Sequence, residues 1–229
     1  MQTFFLKFLM IFESMFKTCR WIALVTLGCL FLQACSTSVP KENQLKAATL
    51  QNNKAQAILI HQMQSGDLAL RLGNDLTSFT LSQLNNRDKS FSHCGIVSIE
   101  NGNIYIYHAI GGEYNPNQKL KRETPETWFS PVHNIEIGLA RYSMDSLQKL
   151  ALVEQVKAYY REEKEFDMQF DLATNDKLYC AEMVYKAIQI STRDRAYLPT
   201  STQFGKHYVG VDDLFLNQHC KLIGQQKFK

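Results

Sequence analysis

Two β-rich runs, residues 92–99 (SHCGIVSI) and 103–110 (NIYIYHAI), flank Glu100-Asn101-Gly102. An Asn-Gly pair tolerates positive φ at both positions, so it favours a tight turn and an antiparallel hairpin. This constrains the chain more than any other feature, because a two-residue turn fixes which side chains share a face. With Asn101 and Gly102 at the turn, paired positions sum to 203. His93 then faces Ile110, and His108 is its diagonal neighbour on the same face, within reach of a second ring. Cys94 alternates to the opposite face and reads as core. A slip of one residue would separate the two imidazoles, so the register is itself an expectation.

The N-terminus reads as an address. Residues 21–32 (WIALVTLGCLFL) are uncharged and apolar or small, and Lys17 and Arg20 precede them. Twelve such residues are too few to span a bilayer, which takes about 20. A basic segment, a short apolar segment and a small residue before the cut describe a secretory signal. Leu32-Gln33-Ala34-Cys35 resembles the bacterial lipobox, in which the cysteine is lipidated and becomes the first mature residue. Residues 1–34 are therefore expected to be a lipoprotein signal peptide, with Met10 and Met15 as alternative starts, and Cys35 is the expected lipidation site. Ser36 in place of Asp at the next position favours the outer membrane, facing the periplasm of a Gram-negative cell. Two or more acyl chains on one cysteine hold a protein stably on a membrane. Residues 36–57 are mostly polar or small and are expected to form a tether, with one domain following over 58–229.

Charge excludes one class of partner. The whole chain carries +3, and outside the leader 22 Lys and Arg oppose 21 Asp and Glu. A body so nearly neutral has no electrostatic reason to bind nucleic acid.

The coarse pattern predicts an α+β fold in which helices pack a small antiparallel sheet. Residues 67–71 read as a strand, and Asn74 or Asp75 caps a helix to about Leu84 whose apolar face is Leu76, Phe79 and Leu84. Residues 125–129 make a helical turn and 135–142 a strand. Ser143 caps a helix over about 144–163, with Leu147, Leu150, Ala151 and Val156 at helical spacing. Met183, Val184, Ala187 and Ile188 support a helix from about Cys180 to Ile190. Residues 199–210 read as loop, 211–216 as a short helix, and the end as a polar tail.

Of six cysteines, Cys19 and Cys29 leave with the leader and Cys35 takes lipid. Cys94, Cys180 and Cys220 remain, and a Cys94–Cys220 disulfide is open. Cys180 sits at the start of its expected helix, where unpaired N–H groups and the helix dipole stabilise a thiolate. The same groups suit an oxyanion. A thiol nucleophile also needs a base, and His93 and His108 supply candidates. The competing chemistry is zinc bound by His93, His108 and Cys180, which ranks lower because no fourth ligand stands at a typical spacing. No Cys-x-x-Cys, His-Glu-x-x-His, phosphate-binding loop or Gly-x-Ser-x-Gly is present, and no cofactor is implied.

Gly66-Asp67-Leu68, Ser92-His93-Cys94-Gly95-Ile96-Val97, Tyr107-His108-Ala109 and the run from Tyr179 through Cys180-Ala181-Glu182 to Lys186 resemble the YiiX/YebB-like cysteine hydrolases. These are circularly permuted relatives of the NlpC-type papain-like peptidases, with the histidine strand ahead of the cysteine helix. The resemblance spans about residues 64–216. It implies a permuted papain-like fold, with Cys180 as nucleophile, His93 as general base and His108 as the residue that orients His93. Many permuted members carry Glu at the His108 position, whereas unpermuted relatives often carry His. Asp67 and Glu182 match positions read as structural.

The implied activity is Cys-His acyl transfer on an amide bond, in a peptide or cell-wall peptide. One alternative is an acyltransferase, thioesterase or esterase acting on lipid acyl groups, although the Asn-Cys-Glu-His run of the lecithin–retinol acyltransferase type is absent. The other is a non-catalytic binding lipoprotein. The expected partners are a peptide or acyl substrate and, through the anchor, the membrane.

Overall fold

The computed structural model describes residues 41–112, 114–203 and 205–229; the leader and Cys35 lie outside the described residues. The chain divides into two units, Met1–Lys46 and Ala47–Lys229. Of the first, the described residues are the exposed start of a helix, where Lys46 Nζ lies 2.7 Å from Glu42 Oε1.

The second unit is α+β. Its main sheet has six antiparallel strands in the order β4-β3-β2-β1-β5-β8: β1 Leu68–Gly73, β2 His93–Glu100, β3 Asn103–His108, β4 Lys121–Glu123, β5 Asn134–Tyr142 and β8 Cys220–Lys227. A small hairpin pairs β6 (Ser201–Gln203) with β7 (Lys206–Tyr208). The helices are α1 Lys41–His61, α2 Leu76–Ser82, α3 Pro125–Trp128, α4 Ser146–Arg161, α5 Cys180–Thr192 and α6 Val211–Phe215.

The β2–β3 turn forms as expected. Asn101 has φ +50° and Gly102 φ +83°, and Glu100↔Asn103 and Ile96↔Tyr107 are paired. On β2's other edge, Arg71 pairs His93 and Leu70 pairs Cys94. Alternation then sorts the side chains into two cores. Leu68, Leu70, Cys94, Ile96 and Tyr107 pack with Leu152 and Val156 of α4 and Met183, Val184 and Ile188 of α5. The opposite face carries Ala69, Val97, Ile106, Ile137 and Leu139 against Leu59, Met63, Trp128 and Phe129.

Several elements differ from expectation. The tether is instead largely helical, since α1 runs without a break from Lys41 through residue 58. Its Lys, Gln, Leu and Ala content favours helix, while its sparse apolar residues leave no periodicity to read. Its later part is fastened: Asn52 Nδ2 donates to the Lys229 carbonyl at 3.0 Å, and Leu59 is buried. In α2, Leu76 and Phe79 face solvent at 80% and 58% exposure, because the helix turns Leu81 toward a cleft instead. In α4, Asp145 rather than Ser143 is the cap, and its carboxylate accepts from Gln148 N at 2.8 Å. Leu147 and Leu150 are exposed, and the packed stripe is Leu152, Val153, Val156 and Tyr159. The polar tail is edge strand β8, whose half-exposed position suits polar side chains. Strands β4, β6 and β7, of three residues each, are too short to show alternation.

Candidate active site

The structure brings Cys180, His93 and His108 into one neighbourhood. Cys180 is the first residue of α5, and it lines a cleft together with His93, Ser92, Tyr179, Ala181, Val209 and Gly210. The helix start is locked from within. Tyr179 N donates to Glu182 Oε2 at 3.1 Å, and Val209 N donates to the Tyr179 hydroxyl at 2.8 Å. Both Tyr179 and Glu182 are buried, so the turn presenting the thiol has little freedom.

The Cys94 thiol, foremost, and the backbone N–H groups of Cys94, Ala181 and Cys180 itself lower the Cys180 pKa below the ordinary thiol value, against the opposing effect of burial. Burial pushes Cys94 well above the ordinary thiol value, and its contact with Cys180 adds to this. Cys94 therefore stays a protonated donor while Cys180 is the thiol disposed to ionise. Cys94 and Cys220 are both free thiols, so the disulfide left open between them is not formed.

The histidines meet on the opposite face of β2. His93 Nε2 lies 3.0 Å from His108 Nδ1, with the rings edge to face. Gly95 makes room for this. A Cβ there would stand 2.6 Å from Ile106 Cγ2 and 3.1 Å from His108 Cβ. Trp128 closes the pair from outside, its ring centroid 5.1 Å from that of His93 and 4.7 Å from that of His108. Arg71 lies over the same indole, 4.5 Å from its centroid. Burial lowers the pKa of His93 well below the usual imidazole value, and the positive Arg71 adds to that. Burial likewise lowers His108, while Glu123 pulls it the other way. Both rings are neutral at rest, so His93 is able to accept a proton.

Glu123 was not a sequence candidate. It sits on β4, diagonal to His108 on the same face, since His108 pairs Lys121. Its Oε2 lies 3.5 Å from His108 Nε2, a contact longer than a well-formed hydrogen bond. His108 lowers the Glu123 pKa, so the carboxylate is charged. Trp128 and Arg71 were missed as well, as was the influence of Cys94 on Cys180. The register that placed His108 beside His93 would have placed Glu123 too, had β4 been visible.

The cleft beside Cys180 is narrow, about 50 Å³, with apolar walls from Leu81, Leu84, Ile110, Phe166, Phe170 and Val211. Past Ile110 and Gly111 lies a wider space of about 460 Å³ that reaches Tyr114, Met168 and Lys121. Asp67 and Glu182 each hold a neighbouring group, Glu182 through the Tyr179 N–H. Asp67 holds Arg141 through Oδ1 at 2.7 Å and Oδ2 at 2.8 Å. Among the described residues, no group of three or more His, Cys, Asp or Glu is disposed to hold a metal ion.

No protein-family model matches the chain. A stretch of 129 residues is 29% identical to the uncharacterized protein YiiX of Escherichia coli K12, covering 56% of this chain and 58% of that relative. The fold matches the crystal structure of the metalloprotein yiiX from Escherichia coli O157:H7, DUF1105, with a TM-score of 0.59. That match is 19% identical and covers 72% of this chain and 99% of the other. In sequence and in fold, the chain is YiiX-like.

Proposed function

We propose that this protein is a thiol hydrolase of circularly permuted papain-like architecture, cleaving an amide bond by Cys-His acyl transfer. The observation that carries the reading is the convergence at the start of β2. A thiol at a helix start, its pKa lowered below the ordinary value, lines the same cleft as a neutral histidine whose far nitrogen is already engaged. In the proposed reaction the Cys180 proton passes to His93 Nδ1, and the thiolate attacks the substrate carbonyl carbon. N–H groups at the start of α5 hold the oxyanion. The tetrahedral intermediate collapses as His93 returns the proton to the leaving amine. Water, deprotonated by His93, then attacks the thioester and frees Cys180. The proposed setting is the periplasmic face of the outer membrane, with Cys35 as the anchor and a peptide or cell-wall peptide as substrate.

A second substrate class has its own support. Among the described residues, the walls nearest Cys180 carry no charged side chain except His93 in its ionised form, and the adjoining space adds Lys121. Apolar walls suit an acyl chain better than a peptide bearing several charges.

The residues here do not fit the metal implied for the yiiX structure: among the described residues no group of three or more His, Cys, Asp or Glu is disposed to hold an ion, and His93 Nε2 and His108 Nδ1 are engaged with each other at 3.0 Å.

The test is turnover by the chain lacking Cys35, beside Cys180→Ala, on muropeptides and on acyl esters with N-acyl amides. Products that vanish in the variant establish the hydrolase and choose between the substrate classes. No turnover on either panel, with Cys180 alkylated no faster than Cys220, leaves a binding lipoprotein. Cys220 is a suitable reference because burial pushes its pKa up to about 12.

A further inference from the structure

We infer that Glu123 is a positioning residue for His93, acting through His108: by accepting the His108 Nε2–H it selects the one histidine tautomer that leaves His93 able to act as a base. This rests on the thiol-hydrolase reading and extends it to a residue outside the Cys–His–His set. Each link is a diagonal cross-strand pair on one face of the sheet, His93 to His108 between β2 and β3, then His108 to Glu123 between β3 and β4.

His108 Nε2 is fully buried, without a well-formed hydrogen bond, and Glu123 Oε2 stands 3.5 Å away. A buried polar group left unpaired is destabilising, so an N–H at this position is drawn to the carboxylate. With its proton on Nε2, His108 has a lone pair on Nδ1, which accepts from His93 Nε2–H. His93 then has its lone pair on Nδ1, ready for the Cys180 proton. In the opposite tautomer His108 donates from Nδ1, and His93 must accept through Nε2 and keep its proton on Nδ1. That His93 is no base toward Cys180. The choice between an active and an inactive ring is thus made two residues away.

Charge acts in the same direction. When Cys180 gives up its proton, His93 becomes an imidazolium. The charged groups facing the two rings are Arg71 from β1 and Lys121 and Glu123 from β4. Arg71 and Lys121 oppose a second cation, and Glu123 is the one anion of the three. No proton need reach Glu123; it stays ionised throughout, and its charge offsets the one that develops on His93.

The experiment uses the chain lacking Cys35, its histidines labelled with ¹⁵N, as wild type, Glu123→Gln and Glu123→Ala. Nitrogen NMR reads the tautomers of His93 and His108. Iodoacetamide labelling of Cys180, followed by mass spectrometry from pH 5 to 10, reads its reactivity. The wild type should show both histidines protonated at Nε2. Glu123→Ala should populate the Nδ1–H forms and slow labelling about tenfold near pH 7, a one-unit shift of the profile, with little change at pH 10. Glu123→Gln, near-isosteric and still able to accept, should fall between; it decides the matter if the alanine variant does not fold. A wild-type His108 protonated at Nδ1 overturns the inference. So do tautomers and a pH profile unmoved by both substitutions, or equal slowing at every pH, the mark of a merely structural carboxylate. If wild-type Cys180 labels no faster than Cys220 while His108 carries its proton on Nε2, the hydrolase reading falls and the tautomer assignment stands.

Discussion

Strand β2 separates two kinds of preparation. On one face, the Cys94 thiol and N–H groups at the start of α5 lower the pKa of a sulfur. On the other, His93, His108, Trp128 and Glu123 form a chain of rings ending in a carboxylate. Apart from the one thiol, the first face draws on N–H groups that a helix start and a strand end offer whatever their side chains. The second depends wholly on side chains held in line by register. The base should therefore be the more fragile half, and substitutions ranked by effect test that.

The largest loss is expected at the base. His93→Ala should slow turnover about 10²–10⁴-fold, while Cys180 keeps the Cys94 thiol and the helix start beside it and still labels above pH 9. Its acid-side reactivity should fall with the lost imidazole. Labelling across pH, beside turnover, separates the two faces; if the variant labels like wild type at pH 6, the two faces are not coupled. Next comes Trp128→Ala. The indole is fully buried and touches both imidazoles and Arg71, so removal should cost about 3–5 kcal/mol in chemical denaturation. The ¹⁵N signals of both histidines should shift as water enters. A loss under about 1 kcal/mol would mean that the strands hold the rings without it.

How much of this was legible follows the same division. The hairpin register was readable because Asn101-Gly102 permits few turns, and it carried the His93–His108 pair with it. The helix at Cys180 was readable because Met183, Val184, Ala187 and Ile188 repeat at helical spacing. Glu123 was hidden because Lys121-Arg122-Glu123 is too short and too charged to announce a strand. Its pairing is conferred by β3, not by its own residues. The role of Cys94 was half legible. Alternation placed it in the core, but what lies across that core is tertiary information. For α2 and α4, apolar periodicity was present and the docked face was still misread. In α4 the expected Val156 does dock, but packing against the sheet, rather than spacing alone, chose Leu152 and Val153 over Leu147 and Leu150.

The nucleophile's helix brings a pH effect of its own. Burial raises the Glu182 pKa to about 7, despite Lys186 Nζ standing 2.7 Å from its Oε1. That ammonium also donates to Asn175 Oδ1 at 3.0 Å and to the Thr174 carbonyl, so its charge is shared. An unfolded glutamate titrates near 4.3. The folded value is the higher one, so this group's contribution to stability is whole below about pH 4.3. It is lost as pH rises through about 7, at no more than roughly 1.4 kcal/mol per pH unit. Glu182→Gln keeps an acceptor for Tyr179 N–H and removes the titration. Melting temperatures from pH 4 to 8 should fall less steeply in the variant than in wild type; parallel curves would show that the ion pair with Lys186 outweighs burial.

The smallest effect is the most discriminating. Cys94 lies on the nucleophile's side of β2, and its thiol is the foremost influence lowering the Cys180 pKa. Its neighbour His93 lies on the other side. Cys94→Ala removes one donor from Cys180 without touching the histidine relay, whereas Cys94→Ser leaves a hydroxyl to donate. The alanine variant should shift the acid limb of Cys180 labelling upward by about half a unit to one unit, a three- to tenfold slowing near pH 6. The serine variant should recover most of that rate, and both should match wild type at pH 10. The two histidine tautomers should be those of the wild type throughout. A shift in the ¹⁵N signals with no shift in the labelling profile would reverse the assignment, making Cys94 a support for the strand rather than a donor to the sulfur. A shift in labelling alone would show that the two faces of β2 prepare nucleophile and base independently, joined only where Cys180 meets His93 at the cleft.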